Sequence, residues 1–149
     1  MVKILIFLLG AFTALYSQAQ PVVFINAGSR ANYGNFQELI IYADGKSTFR
    51  QREVNGPVKD SSSFQLTKPQ LDSFFIKADA VGFFSLQAKY DSGAADGAGI
   101  YISMNSAGRK QSVNIRNTDV AAINELIEWL NNILAAFNTR IYYGQNLKQ

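Results

Sequence analysis

Asp91 and Asp96 stand in the segment Lys89–Met104, KYDSGAADGAGIYISM. Two carboxylates flanking one bond are the equipment of glycoside hydrolysis, one donating a proton and the other acting as base or nucleophile. Carboxylate and carbonyl oxygens also suit calcium. The calcium-loop template asks for oxygen ligands at its first, third and fifth positions. Counted from Asp91 these are Asp91, Gly93 and Ala95, and the template fails. The spacing of Gly93, Gly97 and Gly99 matches no phosphate-cradling fingerprint, and no Gly-Lys-Ser/Thr follows. The plainer reading is that Asp96-Gly97 makes a turn and Asp91 caps one, in a loop of small residues suited to partner contact.

Ser61-Ser62-Ser63 offers hydroxyl nucleophiles, with Lys59 and Lys68 as the neighbouring amines. A serine–lysine pair works only when the lysine is buried and its pKa depressed. Both lysines sit among polar residues, so the serines read as a solvated loop. The chain has no histidine and no cysteine. Ser-His-Asp and Cys-His catalysis and ordinary zinc sites are therefore excluded, and the expectation is a non-enzyme without metal or cofactor. Aromatic side chains supply much of the energy at binding surfaces. Tyr33, Phe36, Tyr42, Phe83, Phe84, Tyr90 and Tyr101 could line a groove, and Tyr33 and Tyr90 are the two that read as loop residues. The candidate binding residues are thus Tyr33, Tyr90, Asp91 and Asp96, on the loops Gly28–Asn35 and Tyr90–Gly99.

The elements that must hold these loops follow from the pattern of the chain. It opens MVKILIFLLGAFTALYSQAQ, with Lys3, an apolar run from Ile4 to Tyr16, and small residues Ser17 and Ala19. A charged start, a short apolar core and a small-x-small end define a secretory leader. The run is shorter than the roughly 20 residues that a membrane-spanning helix needs. Cleavage is expected after Ala19, leaving Gln20–Gln149 as one domain, exported to the periplasm or beyond, with no membrane span. The full chain carries a formal charge of +3, one less without Lys3. That is too small for nucleic-acid binding by an exported protein, and Arg50 and Arg52 read as one solvated strand face. The partner expected is a protein or another envelope component.

Pro21–Asn26 reads as a short strand. Phe36–Ala43 and Ser47–Val54 read as a hairpin on Asp44-Gly45. Asn55-Gly56-Pro57 is a turn. A helix then starts at Thr67, with Pro69 in its first turn and Gln70 at capping-box spacing. Leu71, Phe74, Phe75 and Ala78 form its apolar face, and Gly82 ends it. Phe83–Leu86 is too short to type. Gly99–Asn105 and Lys110–Ile115 read as a second hairpin through Gly108. A long helix capped by Thr118 or Asn117 carries the stripe Val120, Ile123, Ile127, Leu130, Leu134 and Phe137. Asn131 and Asn132 fall on its polar face. Ile141, Tyr142 and Tyr143 return to the core or end as a short strand. The fold expected is α+β, an antiparallel sheet of about four to five strands with two helices packed on one face.

The run FQELIIYADGKSTFR, then FQLTKPQLDSFF, then VGFFSLQAKYDSGAADGAGIYISMNSAGRKQSV and a closing helix, is similar to a group of uncharacterised secreted or lipoprotein domains of Bacteroidetes-type bacteria. The resemblance covers Phe36 to Leu134 and implies no activity. Members often carry a Cys-Phe-Gly-x-Cys-Pro-x-Tyr segment before the first long strand. The matching place here, SRANYGNFQEL, has no cysteine, so no redox or metal role of that segment carries over. The size and the Asp…Tyr-x-Ile strand entry also resemble small bacterial inhibitors of thermolysin-like metalloproteases. Three functions are therefore carried forward: a binding or structural domain, a secreted protease inhibitor, and a hydrolase using Asp91 and Asp96.

Overall fold

Period-two alternation of apolar and polar side chains builds the central strands of this molecule. The computed structural model describes residues 19–29, 36–53, 56–93 and 98–143. Tyr33, Asp96 and the leader up to residue 18 lie outside them. The elements run β1 (Val23–Ser29), β2 (Phe36–Ile41), β3 (Lys46–Arg52), β4 (Val58–Gln65), α1 (Lys68–Ala80), a 3₁₀ turn (Phe83–Ser85), β5 (Lys89–Asp91), β6 (Ala98–Ser106), β7 (Arg109–Arg116), α2 (Ala121–Leu134) and a second 3₁₀ turn (Ala135–Phe137). The strands form one seven-stranded sheet in the order β4-β3-β2-β1-β6-β7-β5. The pairings are antiparallel except for β5, which runs parallel to β7.

This corrects the expected sheet of four to five antiparallel strands, while the α+β class stands. Two strands escaped the pattern. β4 contains Ser61, Ser62 and Ser63, which therefore belong to a strand and not to a loop. It is an edge strand, and such strands tolerate polar side chains on both faces. β5 is only three residues long and puts Tyr90 on a strand. Its partner lies far along the chain, and the crossover through β6 makes the pairing parallel.

Both hairpins form where expected. Gly45 has φ of +83°, and Lys46 N–H donates to Asp44 Oδ1 at 3.0 Å. A Cβ at Gly45 would stand 2.2 Å from the Leu66 carbonyl oxygen, so the turn needs glycine for space as well as for φ. At the β6–β7 turn Ala107 and Gly108 both have positive φ, as a tight two-residue turn demands. α1 opens on the expected capping box: Gln70 N–H donates to Thr67 Oγ1, and Thr67 N–H donates to Gln70 Oε1. It closes on Gly82, in the left-handed region.

α2 departs from expectation at its start. Its N-cap is Val120, with no side-chain cap. Asn117 N–H instead donates to the Ala98 carbonyl and the Thr118 carbonyl accepts from Tyr143, so both residues serve the turn out of β7. Ile25, Leu39, Ile41, Phe49, Ile102 and Val113 point to one face of the sheet and form a single core with Leu71 and Phe74 of α1 and Ile123, Leu126, Leu130 and Leu134 of α2. Among the described residues no helix is long and apolar enough to cross a membrane.

Candidate functional site

One row of the sheet crosses all seven strands on the helix-covered side: Asp60, Gln51, Gln37, Ala27, Ile100, Ile115 and Tyr90 are successive Cα partners. From Ala27 to Tyr90 the row is apolar and belongs to the core. From Asp60 to Gln37 it is polar, although Gln37 is in phase with Leu39 and Ile41, and Gln51 with Phe49. Above this polar half lies a cleft of about 800 Å³.

The opposite wall is α2. Asn124, Glu128, Asn131 and Ala135 recur at steps of four, three and four, which places them on one stripe beside the core stripe. Asn132 borders it. The segment after α2 closes the end of the cleft. Asn138, with φ of +52°, turns the chain back, and two amide side chains then grip its backbone. Gln37 Nε2 donates to the Arg140 carbonyl at 3.0 Å, and Gln37 Oε1 accepts from Tyr142 N–H at 2.7 Å. Asn131 Nδ2 donates to the Ile141 carbonyl at 2.9 Å, and its Oδ1 accepts from Ile141 N–H at 2.8 Å. Ile141 and Tyr143 are buried by this clamp. The Tyr143 hydroxyl donates to the Thr118 carbonyl at 3.0 Å. Burial, aided by the nearby Asp119 charge, pushes its pKa up to about 12.

Gln37 and Asn131 are therefore structural. Gln51, Asp60, Asn124, Glu128 and Asn132 differ: they line the same cleft, and none has a side-chain hydrogen bond or ion pair with another described residue. Arg140 brings a positive charge to the rim, its guanidinium 5.7 Å from the Tyr142 ring centroid. The set can donate and accept hydrogen bonds along one wall and the floor.

Of the residues singled out from the sequence, Tyr90 and Asp91 lie elsewhere, and Tyr33 and Asp96 fall outside the described residues. Tyr90 packs against the core, and its hydroxyl accepts from Gln87 N–H at 3.1 Å. Asp91 is the next residue and projects from the other face of the strand. Its Oδ1 accepts from Gly93 N–H at 2.9 Å, and that bond, with the charges of Lys89 and Arg116, holds its carboxyl below the usual range. Asp91 thus caps a turn. Lys59 and Lys68 are exposed and ion-paired, with Glu53 and Asp72, so neither is poised to activate a serine. Ser29 pairs with Ala98, so the chain leaves β1 and enters β6 at one end of the sheet.

The cleft was readable only in part. Polar residues at inward-phase positions, Gln37 and Gln51, were its signal on the sheet. Asn131 fell on what reads as a solvated helix face, where the structure places a backbone clamp.

Comparison with curated proteins yields no match. Residues 33–137 match the model of one protein family, described as a domain of unknown function (DUF6438), and the chain belongs to that family.

Proposed function

We propose that the protein is an exported, non-catalytic binding domain and that its ligand occupies the cleft between β2–β4 and α2. Export rests on the leader pattern of Met1–Ala19. The non-catalytic reading rests on the lack of histidine and cysteine. Binding in the cleft rests on one observation: five polar side chains, Gln51, Asp60, Asn124, Glu128 and Asn132, face one concavity without a protein partner among the described residues. Water solvates them in the free protein. A ligand that replaces that water bond for bond gains affinity from several groups at once.

The test is a thermal-shift screen of soluble envelope components and small molecules on the mature chain and on an Asn124→Ala/Asn132→Ala variant. A ligand that binds the folded state raises Tm by mass action. The expected result is a rise in the parent that the variant loses. No rise in the parent, or the same rise in both, overturns the reading.

The pairing of Ser29 with Ala98 at one end of the sheet favours a second reading, an inhibitor that presents this end of the sheet to a protease. A panel of secreted metalloproteases decides it, and no inhibition at micromolar protein rejects it.

A further inference from the structure

Resting on the assignment of the cleft as a binding site, we infer that its ligand is a neutral saccharide. The argument is the donor and acceptor inventory. A primary amide offers two N–H donors and an acceptor oxygen, and an ionised carboxylate only accepts. Gln51, Asn124 and Asn132 supply the first kind, and Asp60 and Glu128 the second. A sugar hydroxyl both donates and accepts, so adjacent hydroxyls satisfy both kinds together. The α2 wall repeats these groups about once per turn, at intervals of roughly 5.4 Å along the helix, which suits a ligand with regularly spaced hydroxyls. Tyr142, 43% exposed at the rim, adds a flat aromatic surface for the C–H face of a sugar ring.

Other ligand chemistries fit this inventory less well. An anion would meet Asp60 and Glu128. A lipid would meet few apolar groups, since among the described residues the apolar lining is limited to Phe49, Ala135 and the rings of Tyr142 and Tyr143. A cation would use the two carboxylates and the amide oxygens but leave the amide N–H donors idle, with Arg140 opposing it. An extended peptide alternates donors with acceptors, as the backbone held by Gln37 and Asn131 does. Carboxylates answer only half of that alternation.

The experiment is isothermal titration of the mature chain with cello-, manno-, xylo- and chito-oligosaccharides, and in parallel with spermine and trialanine. Each is run at about 50 mM and about 500 mM salt, which separates screened charge–charge attraction from neutral contacts. The expected result is that at least one oligosaccharide series binds at one site, with affinity changing less than about twofold between the two salt levels. Glu128→Gln and Asn124→Ala, each checked for an unchanged melting curve, should each weaken it about tenfold or more, the loss of a charge-assisted or multiple hydrogen bond. Saccharide binding that both variants leave intact overturns the inference. So does a cleft-dependent response to spermine or trialanine with none to any oligosaccharide, an outcome that keeps the cleft as a binding site. No response to any probe, together with a failed thermal-shift screen, overturns both.

Discussion

The two halves of the row from Asp60 to Tyr90 are continuous in hydrogen bonding and opposite in chemistry. In the half made by Ala27, Ile100, Ile115 and Tyr90, side chains meet other apolar groups, and the one hydroxyl is answered by a neighbouring backbone N–H. In the half made by Asp60, Gln51 and Gln37, one amide is committed to the backbone of the returning chain and the other two groups face open space. The corner at Asp91 looks functional by residue type, with two charged neighbours and glycines close by, yet its carboxylate is engaged by its own turn. Residue type alone therefore separates these regions poorly. What separates them is whether each polar group already has a partner within the fold.

Cutting into the apolar half should cost most. Ile115→Ala empties a fully buried site, and a loss of about 2–5 kcal/mol is expected in denaturant unfolding. A loss below about 1 kcal/mol would mean that this half collapses as freely as a surface. Gln37→Ala comes next. It leaves the Tyr142 N–H and the Arg140 carbonyl without their amide partner, and about 2–3 kcal/mol is expected. Asn131→Ala should act on Ile141 in the same way, and the double variant should lose less than the sum, because freeing the segment once frees it for both. Strict additivity would show that the two amides do not grip one unit.

Tyr143 offers a pH readout of the same clamp. Its folded pKa is raised, to about 12, from about 10 in the unfolded chain. The stability tied to its protonated form is fully present below pH 10 and disappears as pH rises from about 10 to about 12, by roughly 2 kcal/mol. Tyr143→Phe should be less stable at pH 8 by about 1 kcal/mol, for the lost bond to the Thr118 carbonyl. It should lack the alkaline drop that the parent shows, as thermal melts across that range will reveal. Parallel curves for the two proteins would place the hydroxyl in water.

Short-range rules accounted for what short-range chemistry decides. Asp44-Gly45, the turn at Gly108, the Thr67–Gln70 box and the Asp91 cap are each closed within a few residues, and each forms as its residue types require. The misses have longer reach. β4 is a strand because β3 offers it an edge, whatever its serines prefer. β5 exists because β7 lies open beside it. Val120 starts α2 because Asn117 and Thr118 are held by Ala98 and Tyr143. The cleft belongs to this second group. A glutamine in core phase, such as Gln51, reads the same whether a helix, a returning chain or a ligand lies above it. Only the position of Asn124, Glu128 and Asn132 across the gap distinguishes these cases.

The smallest stability effect carries the sharpest test of the contrast between the halves. Asn132 is exposed on α2 and has no side-chain partner among the described residues. Asparagine is a poorer helix former than alanine, because its amide competes for the backbone. Asn132→Ala should therefore leave stability unchanged or raise it by about 0.5 kcal/mol. A residue whose replacement stabilises the fold is not held there by the fold. If the same substitution abolishes the ligand-induced rise in Tm, stability and binding have been separated at one position, as expected where function constrains a stabilised scaffold. If instead Asn132→Ala destabilises by 1 kcal/mol or more on the scale of a lost buried hydrogen bond, Asn132 belongs with Gln37 and Asn131 as part of the clamp. The polar half of the row would then be an extension of the core made with amides.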